Sequence, residues 1–452
     1  MTLTEPRSDP SAQAQALFQE ARECTRRRRR RRATVGCGLA ALLYAILSTG
    51  DARSAGSAPA GPAVDRAAFA GHGRLAFVSQ GRLYVLDGAR LRAVSAAGET
   101  ASRPQFSPDG RHLAYRAGGA EYLARADGTG ARRVGSAAVA QSWLPDGELV
   151  AAGAPWRVGA SGFPRRVGPL PPGLTAWSPS GAAFVFVQST VRRSRGGRWR
   201  ESWRLEVARS LRGPRTTWYE RHVSFAPATG TSGEVLGGVA VLPRHAGILF
   251  TLDPGGSSSV AADGLATYLI GAPSEAPRSL GTTVGLSVSP GGAGTFALTT
   301  GPDRYATLTK RVEVCSVRPA ACRATPTAAG RVSFDPAFSP DGRTLAYITA
   351  PSTFQGDFEQ RNVVAWYASH TLWTLGPGGK AHRIAGTTGA SRPIWSADGR
   401  SLLYTAHDAL HLVAADGRTR PVRIAGPLFD PAHWPAAYFR VDWRDQFAWW
   451  SR

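Results

Sequence analysis

Lysine is almost absent from this chain of 452 residues. Lys310 and Lys380 are the only two, so arginine carries nearly all of the 54 basic charges. Cysteine is scarce too: there are four, and nothing around them completes a four-ligand metal set. The nucleophile elbow G-x-S-x-G is missing. The closest strings, GTSGE from Gly230 and GASGF from Gly159, do not match, and no segment of α/β-hydrolase size follows. A complete serine peptidase of that kind is therefore not expected. What is abundant is glycine (52) and proline (32), which suits a turn-dense, all-β chain better than a helical one. The formal charge of +22 favours anionic partners: nucleic acid, lipid headgroups or acidic polymers.

Location narrows that choice. Residues 1–32 form a polar, basic tail that ends in seven consecutive arginines, Arg26–Arg32. An uncharged run, ATVGCGLAALLYAILST, begins at Ala33. Seventeen residues of helix span about 26 Å, near the lower limit for crossing a bilayer. The arginines should stay on the cytoplasmic side and the bulk of the chain outside. The expected organisation is a cytoplasmic tail (1–32), a transmembrane signal anchor (33–50), a linker rich in Ala, Gly, Ser and Pro (51–63) and a large outer domain (64–452). The alternative is secretion after signal-peptide cleavage, because small-residue sites stand at Ser48–Gly50 and Ala55–Ser57. Either way the outer domain meets the membrane, envelope proteins or anionic envelope polymers, and no nucleic-acid partner or cofactor is expected.

The outer domain repeats a phrase. Phe106–Ala117 reads FSPDGRHLAYRA and Phe338–Thr349 reads FSPDGRTLAYIT. WSADGRSLLYTA starts at Trp395, WLPDGELVAAG at Trp143 and WSPSGAAFVFV at Trp177. Weaker copies start at Phe69, Leu242 and Val288, with a partial one at Val441–Trp450. The first steps, from Phe69 to Phe106, Trp143 and Trp177, are 37, 37 and 34 residues, a period that signals stacked repeats. In each unit the aromatic ends one strand. Pro, Asp and Gly then reverse the chain, and an apolar second strand follows. Third and fourth strands complete a four-stranded antiparallel unit, the blade of a β-propeller.

The phrase [FW]-S-P-D-G-R-x-L-A-Y, with Pro104, Pro336 and Pro393 two residues ahead of the aromatic, resembles the TolB-type, WD-like propeller repeat over about residues 64–450. The resemblance implies an all-β propeller of eight blades, or seven if one weak repeat is not a full blade. Val441–Trp450 should then zip against the first blade. In that family such propellers serve as protein-interaction platforms or as gating domains of serine peptidases. TolB itself has an α/β domain ahead of its propeller, where this chain has only a short linker.

Several groups compete as sites. Asp109, Asp146, Asp341 and Asp398 recur in one slot of one turn and read as turn caps rather than a carboxylate set. His407 and His411 have i, i+4 spacing but fall on a hairpin, not a helix, and no third ligand accompanies them. Cys315 and Cys322 flank a short hairpin and, outside the cytoplasm, should form a disulfide; reduced thiols or a metal pair are the alternatives. The densest cluster is Val191–Val223, with ten Arg, three Glu and interleaved aromatics. Arg192, Arg193, Arg195, Arg198 and Arg200, with Trp199 and Trp203, are the candidate contacts for an anionic partner, through paired hydrogen bonds and stacking. The plainer reading is an extended hairpin with solvated arginines. An insertion at Pro351–Ser369 lengthens another hairpin. Two functions follow: a non-enzymatic binding platform, or a ligand-binding or catalytic propeller (hydrolase or lyase type) with its site at the axial channel.

Overall fold

The computed structural model describes residues 61–451 except 137–141, 152–153, 159–163, 179, 194–198, 226–233, 244–245, 255–263, 290–293, 302–308, 354–359, 430–440 and 442. The expected tail, anchor and most of the linker lie outside the described residues. Among those described, no helix is long and apolar enough to cross a membrane.

From Gly61 onward the chain forms one compact unit. It is all-β, written as consecutive antiparallel meanders. The first sheet holds Arg74–Ser79, Arg82–Asp87 and Arg90–Ala93. The second runs from Ala101–Phe106 to Arg132–Ser136, the third from Ser142–Trp143 to Pro164–Arg166, and the fourth from Leu174–Trp177 to Thr216–Phe225. A seven-stranded fifth sheet spans Glu234–Val241 to Ala321–Ala324. Within it the eleven-residue strand Arg278–Val288 pairs on one side with Leu265–Ile270 and on the other with Thr295–Thr300. The sixth sheet runs from Arg331–Phe338 to Ala381–Arg383, and the seventh from Ala390–Trp395 to Val422–Gly426.

Successive sheets are stitched together through the repeated aromatic. Trp143 Nε1 donates to Gln105 O in the preceding sheet at 3.2 Å, Trp177 Nε1 to Trp143 O at 2.9 Å, and Trp395 Nε1 to Ala337 O at 2.9 Å. The ring is then shut from both ends of the chain. Phe447–Trp450 pairs with Arg74–Ser79 and supplies the first sheet with its missing strand. Ala63–Val64 adds to the outer edge of the seventh sheet, against Ala425 and Gly426. Ser79 Oγ donates to Pro427 O, tying the first sheet to the last. This is the order of a β-propeller. The expected closure by the C-terminal copy is present, at Phe447–Trp450.

The corner behaves as its residues dictate. In three copies a buried serine hydroxyl donates to the aspartate two residues on: Ser107 to Asp109, Ser339 to Asp341 and Ser396 to Asp398, at 2.5–2.6 Å. The same carboxylates accept from the amides of Arg111, Arg343 and Arg400. Gly110, Gly342 and Gly399 follow with φ of 67°, 70° and 70°, which glycine takes without a Cβ penalty. The Ser339 hydroxyl, with the Arg343 amide, holds Asp341 below the usual carboxylate range, and Ser396 does the same for Asp398. These aspartates are turn caps.

Ahead of each of those corners, two residues bulge against one. Arg103 and Pro104 face Tyr115, Asp335 and Pro336 face Tyr347, and Arg392 and Pro393 face Tyr404. Proline bars its predecessor from the right-handed helical region. Arg103, Asp335 and Arg392 instead sit at φ of 54°, 51° and 50°. The three tyrosines are at most 2% exposed and pack the sheet interfaces. Burial raises all three phenol pKa values, Tyr347 to about 12.

The insertion after Pro351 differs from the lengthened hairpin expected. It contains a helix, Gln360–Ala368. Val363, Trp366 and Tyr367 fall at i, i+3 and i+4, so they share one face and are buried. They join a cluster with Phe334, Ala390, Phe429 and Trp443. His370 is enclosed beside them, its ring 4.3 Å from that of Trp366 and 4.9 Å from that of Phe334. Its Nδ1 lies 3.2 Å from Ala390 O, while Nε2 has no partner. Burial, and the charge of Arg331, push its pKa down to about 3.

Cys315 and Cys322 are direct cross-strand partners and are joined in a disulfide. Replacing both with alanine should cost about 2–3 kcal/mol, because the bridge closes a short loop in the unfolded chain; urea melts of the two proteins measure this.

His370 gives a pH dependence of known sign. Its folded pKa lies below the 6.5 of an unfolded histidine, so the unfolded chain binds the proton first. This contribution to stability is complete above about pH 6.5 and is lost as pH falls toward 3, by about 1.4 kcal/mol per unit. Between pH 7 and pH 5 the wild type should therefore lose about 2 kcal/mol more than His370→Gln. Equal losses in urea melts at the two pH values would contradict it.

Candidate functional site

The fourth sheet departs from the others. Phe184–Arg193, Trp199–Ala208 and Thr216–Phe225 are ten residues each, against six in counterparts such as His112–Ala117 and Ser401–Ala406. At about 3.3 Å per residue, the extra length carries a three-stranded ribbon about 13 Å further than its neighbours. One face of its base is core. Trp203 and Leu205 pack with Val185, Ile248, Phe250 and Ile270. The Trp203 ring meets Tyr219 and Phe250 edge-on.

The other face is polar and reads across the strands in rows. Gln188 stands opposite Arg204, which stands opposite Glu220. Thr190 faces Ser202, and Ser202 faces His222. Arg192 faces Arg200, and Arg200 faces Ser224. Some of these groups satisfy one another: Thr190 and Ser202 share a hydroxyl hydrogen bond of 2.8 Å, and Arg204 Nε donates to Glu220 Oε1 at 2.9 Å. Toward the base, Arg215 is held by Glu206 at 3.3 Å and lies over the Phe186 ring at 3.8 Å. Arg192 and Arg200 are different. Both are exposed, and neither has an ion pair or hydrogen bond among the described residues. Like charges directly opposite on neighbouring strands repel, with Cβ atoms about 5 Å apart.

The expected site residues therefore divide. Arg192 and Arg200 come together on one exposed face. Arg193 and Trp199 pair in register at the end of the described strands. Arg195 and Arg198 lie outside the described residues. Trp203 is 1% exposed, so its ring belongs to the core and is not offered to a partner. Ser202, Arg204 and His222 were not singled out, although they share the face. The signal was present as a period of two, Arg200-x-Ser202-x-Arg204, which puts all three on one side of a strand.

A second group of charges sits on the first strands of three sheets and on the turn Trp443–Asp445. Arg103 Nε donates to Asp445 Oδ1 at 2.7 Å, linking the second sheet to the closing C-terminal segment. The Arg392 amide donates to Asp335 Oδ2 at 3.1 Å, linking the seventh sheet to the sixth. Three of these four residues are the positive-φ residues of the bulges. The side chains of Arg103, Asp335 and Asp445 and the amide of Arg392 are engaged in joining neighbouring segments.

No metal pair forms at His407 and His411. His407 occupies a tight turn at φ 55°, while His411 stacks on Tyr404 at 5.6 Å inside a strand. The one grouping of metal-ligating types among the described residues is Glu313, Cys315 and Cys322, and both sulfurs are spent in the disulfide.

No protein-family model matches the chain, and no curated protein sequence does. Solved structures with a similar course include a putative TolB from Agrobacterium tumefaciens, 14% identical, with a TM-score of 0.33 over 79% of this chain and 88% of that one. An oligogalacturonate lyase from Vibrio parahaemolyticus is 10% identical, with a TM-score of 0.36 over 80% of this chain and 86% of that one. The dihydro-heme d1 dehydrogenase NirN is 15% identical, with a TM-score of 0.43 over 82% and 77%. These likenesses bring no ligand or activity to this chain.

The unrelieved pair predicts a stability effect. Arg192→Thr should raise stability by about 0.2–1 kcal/mol at low ionic strength, and the gain should vanish in high salt. Thermal melts at two salt concentrations measure it.

Proposed function

We propose that this chain is a membrane-anchored, TolB-like propeller of eight blades, held outside the cytoplasm, whose work is binding and not catalysis. The count takes the seven-stranded sheet as two blades sharing Arg278–Val288. The partner is an anionic envelope polymer or a lipid headgroup surface, met by the polar face of the long ribbon. One observation carries this reading: Arg192 opposes Arg200 with no carboxylate between them. A folded chain bears that repulsion most easily where a phosphate or carboxylate of a partner bridges the two guanidinium groups. Ser202, His222 and Ser224 extend the row of donors, and the arginine forks suit paired hydrogen bonds to planar oxyanions.

The second group of charges favours a second reading, a small-ligand or catalytic site at the axis. Arg103 with Asp445, and Arg392 with Asp335, form two charged contacts between neighbouring segments of the ring. Against it stands their mutual pairing, which leaves a structural duty for each.

The test uses the unit 61–452, free of the basic tail. Replacing Arg192, Arg193, Arg195, Arg198 and Arg200 by Ser should abolish its salt-sensitive sedimentation with anionic liposomes or wall polymer, with no change in melting behaviour beyond a few degrees. Unchanged binding would remove the ribbon from the proposal.

A further inference from the structure

The sixth sheet holds a second arginine site, set in a half-open recess. Strand pairing sets Ser333 opposite Thr349 and Thr349 opposite Thr371. It sets Tyr347 opposite Trp373 and Trp373 opposite Arg383. Arg331, two residues before Ser333, therefore shares a sheet face with Thr349, Thr371, Trp373 and Arg383. Part of that face packs on the fifth sheet, where Tyr347 meets Ala297 and Val312. The rest does not close. The connector at residues 326–328 passes across it and leaves a cavity of about 410 Å³, lined by Thr327, Arg331, Thr349 and Trp373 among others. That volume lies in the range of small-molecule sites.

Arg331 is unusually well fixed. Its Nε donates to Thr349 Oγ1 at 3.2 Å. Its Nη2 donates to Thr349 O at 3.2 Å, Thr349 Oγ1 at 3.0 Å and Thr371 Oγ1 at 3.3 Å. The whole Nε–Nη2 side is thus tied to neutral oxygens. Nη1 makes no hydrogen bond among the described residues, and no carboxylate reaches the group. The charge that acts on it comes from Arg383: burial first, and then that second cation, lower the Arg331 pKa. The cavity wall therefore carries one cation, Arg331, and no carboxylate among its lining residues, while Arg383 stands on the same sheet face beyond the lining. Trp373 is pinned as well, its Nε1 donating to Thr371 Oγ1 at 3.1 Å, and its ring lines the space.

We propose that this cavity binds a small organic anion, with a carboxylate or phosphate on Arg331 and an attached planar or apolar group against Trp373. The anion receives charge-assisted hydrogen bonds from the Nη1 side of a guanidinium that is already immobilised, so little side-chain freedom is lost on binding. Arg383, exposed on the same sheet face opposite Trp373, adds attraction, and the bound anion offsets its repulsion from Arg331. The bound part must be small, since a half-open recess of about 410 Å³ has room for one such group.

Calorimetric titration of the full chain with phenyl phosphate, benzoate, benzyl alcohol and inorganic phosphate tests this. One aromatic anion, at least, should bind at a single site, and benzyl alcohol should bind about tenfold more weakly or not at all. Phenyl phosphate against benzoate separates the two oxyanions. Arg331→Met should weaken the preferred anion about tenfold or more. Arg383→Ser, a change at an exposed position with little risk to folding, should weaken it several-fold and flatten its salt dependence. Arg192→Ser/Arg200→Ser should leave it unchanged, which separates this site from the ribbon. Undiminished binding in both Arg331→Met and Arg383→Ser would overturn the proposal, as would failure of both aromatic anions to bind at millimolar concentration. Equal affinity for inorganic phosphate and phenyl phosphate would overturn the role of Trp373.

Discussion

The ring depends on four residues near the end of the chain. Phe447–Trp450 completes the first sheet from the inside, next to Arg74–Ser79. Without it, the backbone of Arg74–Ser79 would present open donors and acceptors, and the first and last sheets would share little but side chains. An unpaired edge of that kind invites other strands. Nature here doubles the clasp. Ala63–Val64 covers the outer edge of the last sheet while the C-terminus fills the inner edge of the first. Arg103 reaches Asp445 from the second sheet, so the closing segment is gripped from two neighbours.

Within that closed ring, each strong repeat solves the same local problem with the same parts. The chain must leave an innermost strand, turn sharply and return through a buried interface. Proline sets the bulge, a tyrosine fills the space opposite it, and serine and aspartate satisfy the corner. The residue before the proline sits at positive φ within the bulge, at a cost on the order of 1 kcal/mol. In all three copies that residue is charged, and in all three its side chain or amide makes a bond to a neighbouring sheet. Strain and stitching occur at one place.

Arginine serves two purposes in the molecule. Arg74, Arg116, Arg157 and Arg215 meet carboxylates and help hold the sheets. Arg192 and Arg200 on the open ribbon, and Arg331 in its recess with Arg383 on the same sheet face, stand near another cation instead. Geometry separates the two places. A flat exposed row suits an extended anionic surface, and a walled space with a pinned tryptophan suits one small ligand.

The sequence by itself determined the architecture. The Ser-x-Asp-Gly corner follows the same aromatic at Phe106, Phe338 and Trp395, and local chemistry of that kind acts within a few residues, so the four-stranded meanders, the turn-cap role of Asp109, Asp341 and Asp398, and the cross-strand cysteine pair could be read directly. The helix at Gln360–Ala368 was missed because it is short and sits inside an insertion; only contacts with Phe334 and Trp443, distant in the chain, decide which of its apolar residues form the buried face. Trp203 was misread for the same reason: a tryptophan among arginines looks like a recognition residue until Phe250 arrives from the next sheet to bury it. Whether an arginine is a strut or a free charge was likewise a tertiary matter. It depends on what stands across the strand or cavity, and register between strands is decided by burial of the opposite face, not by neighbours in sequence.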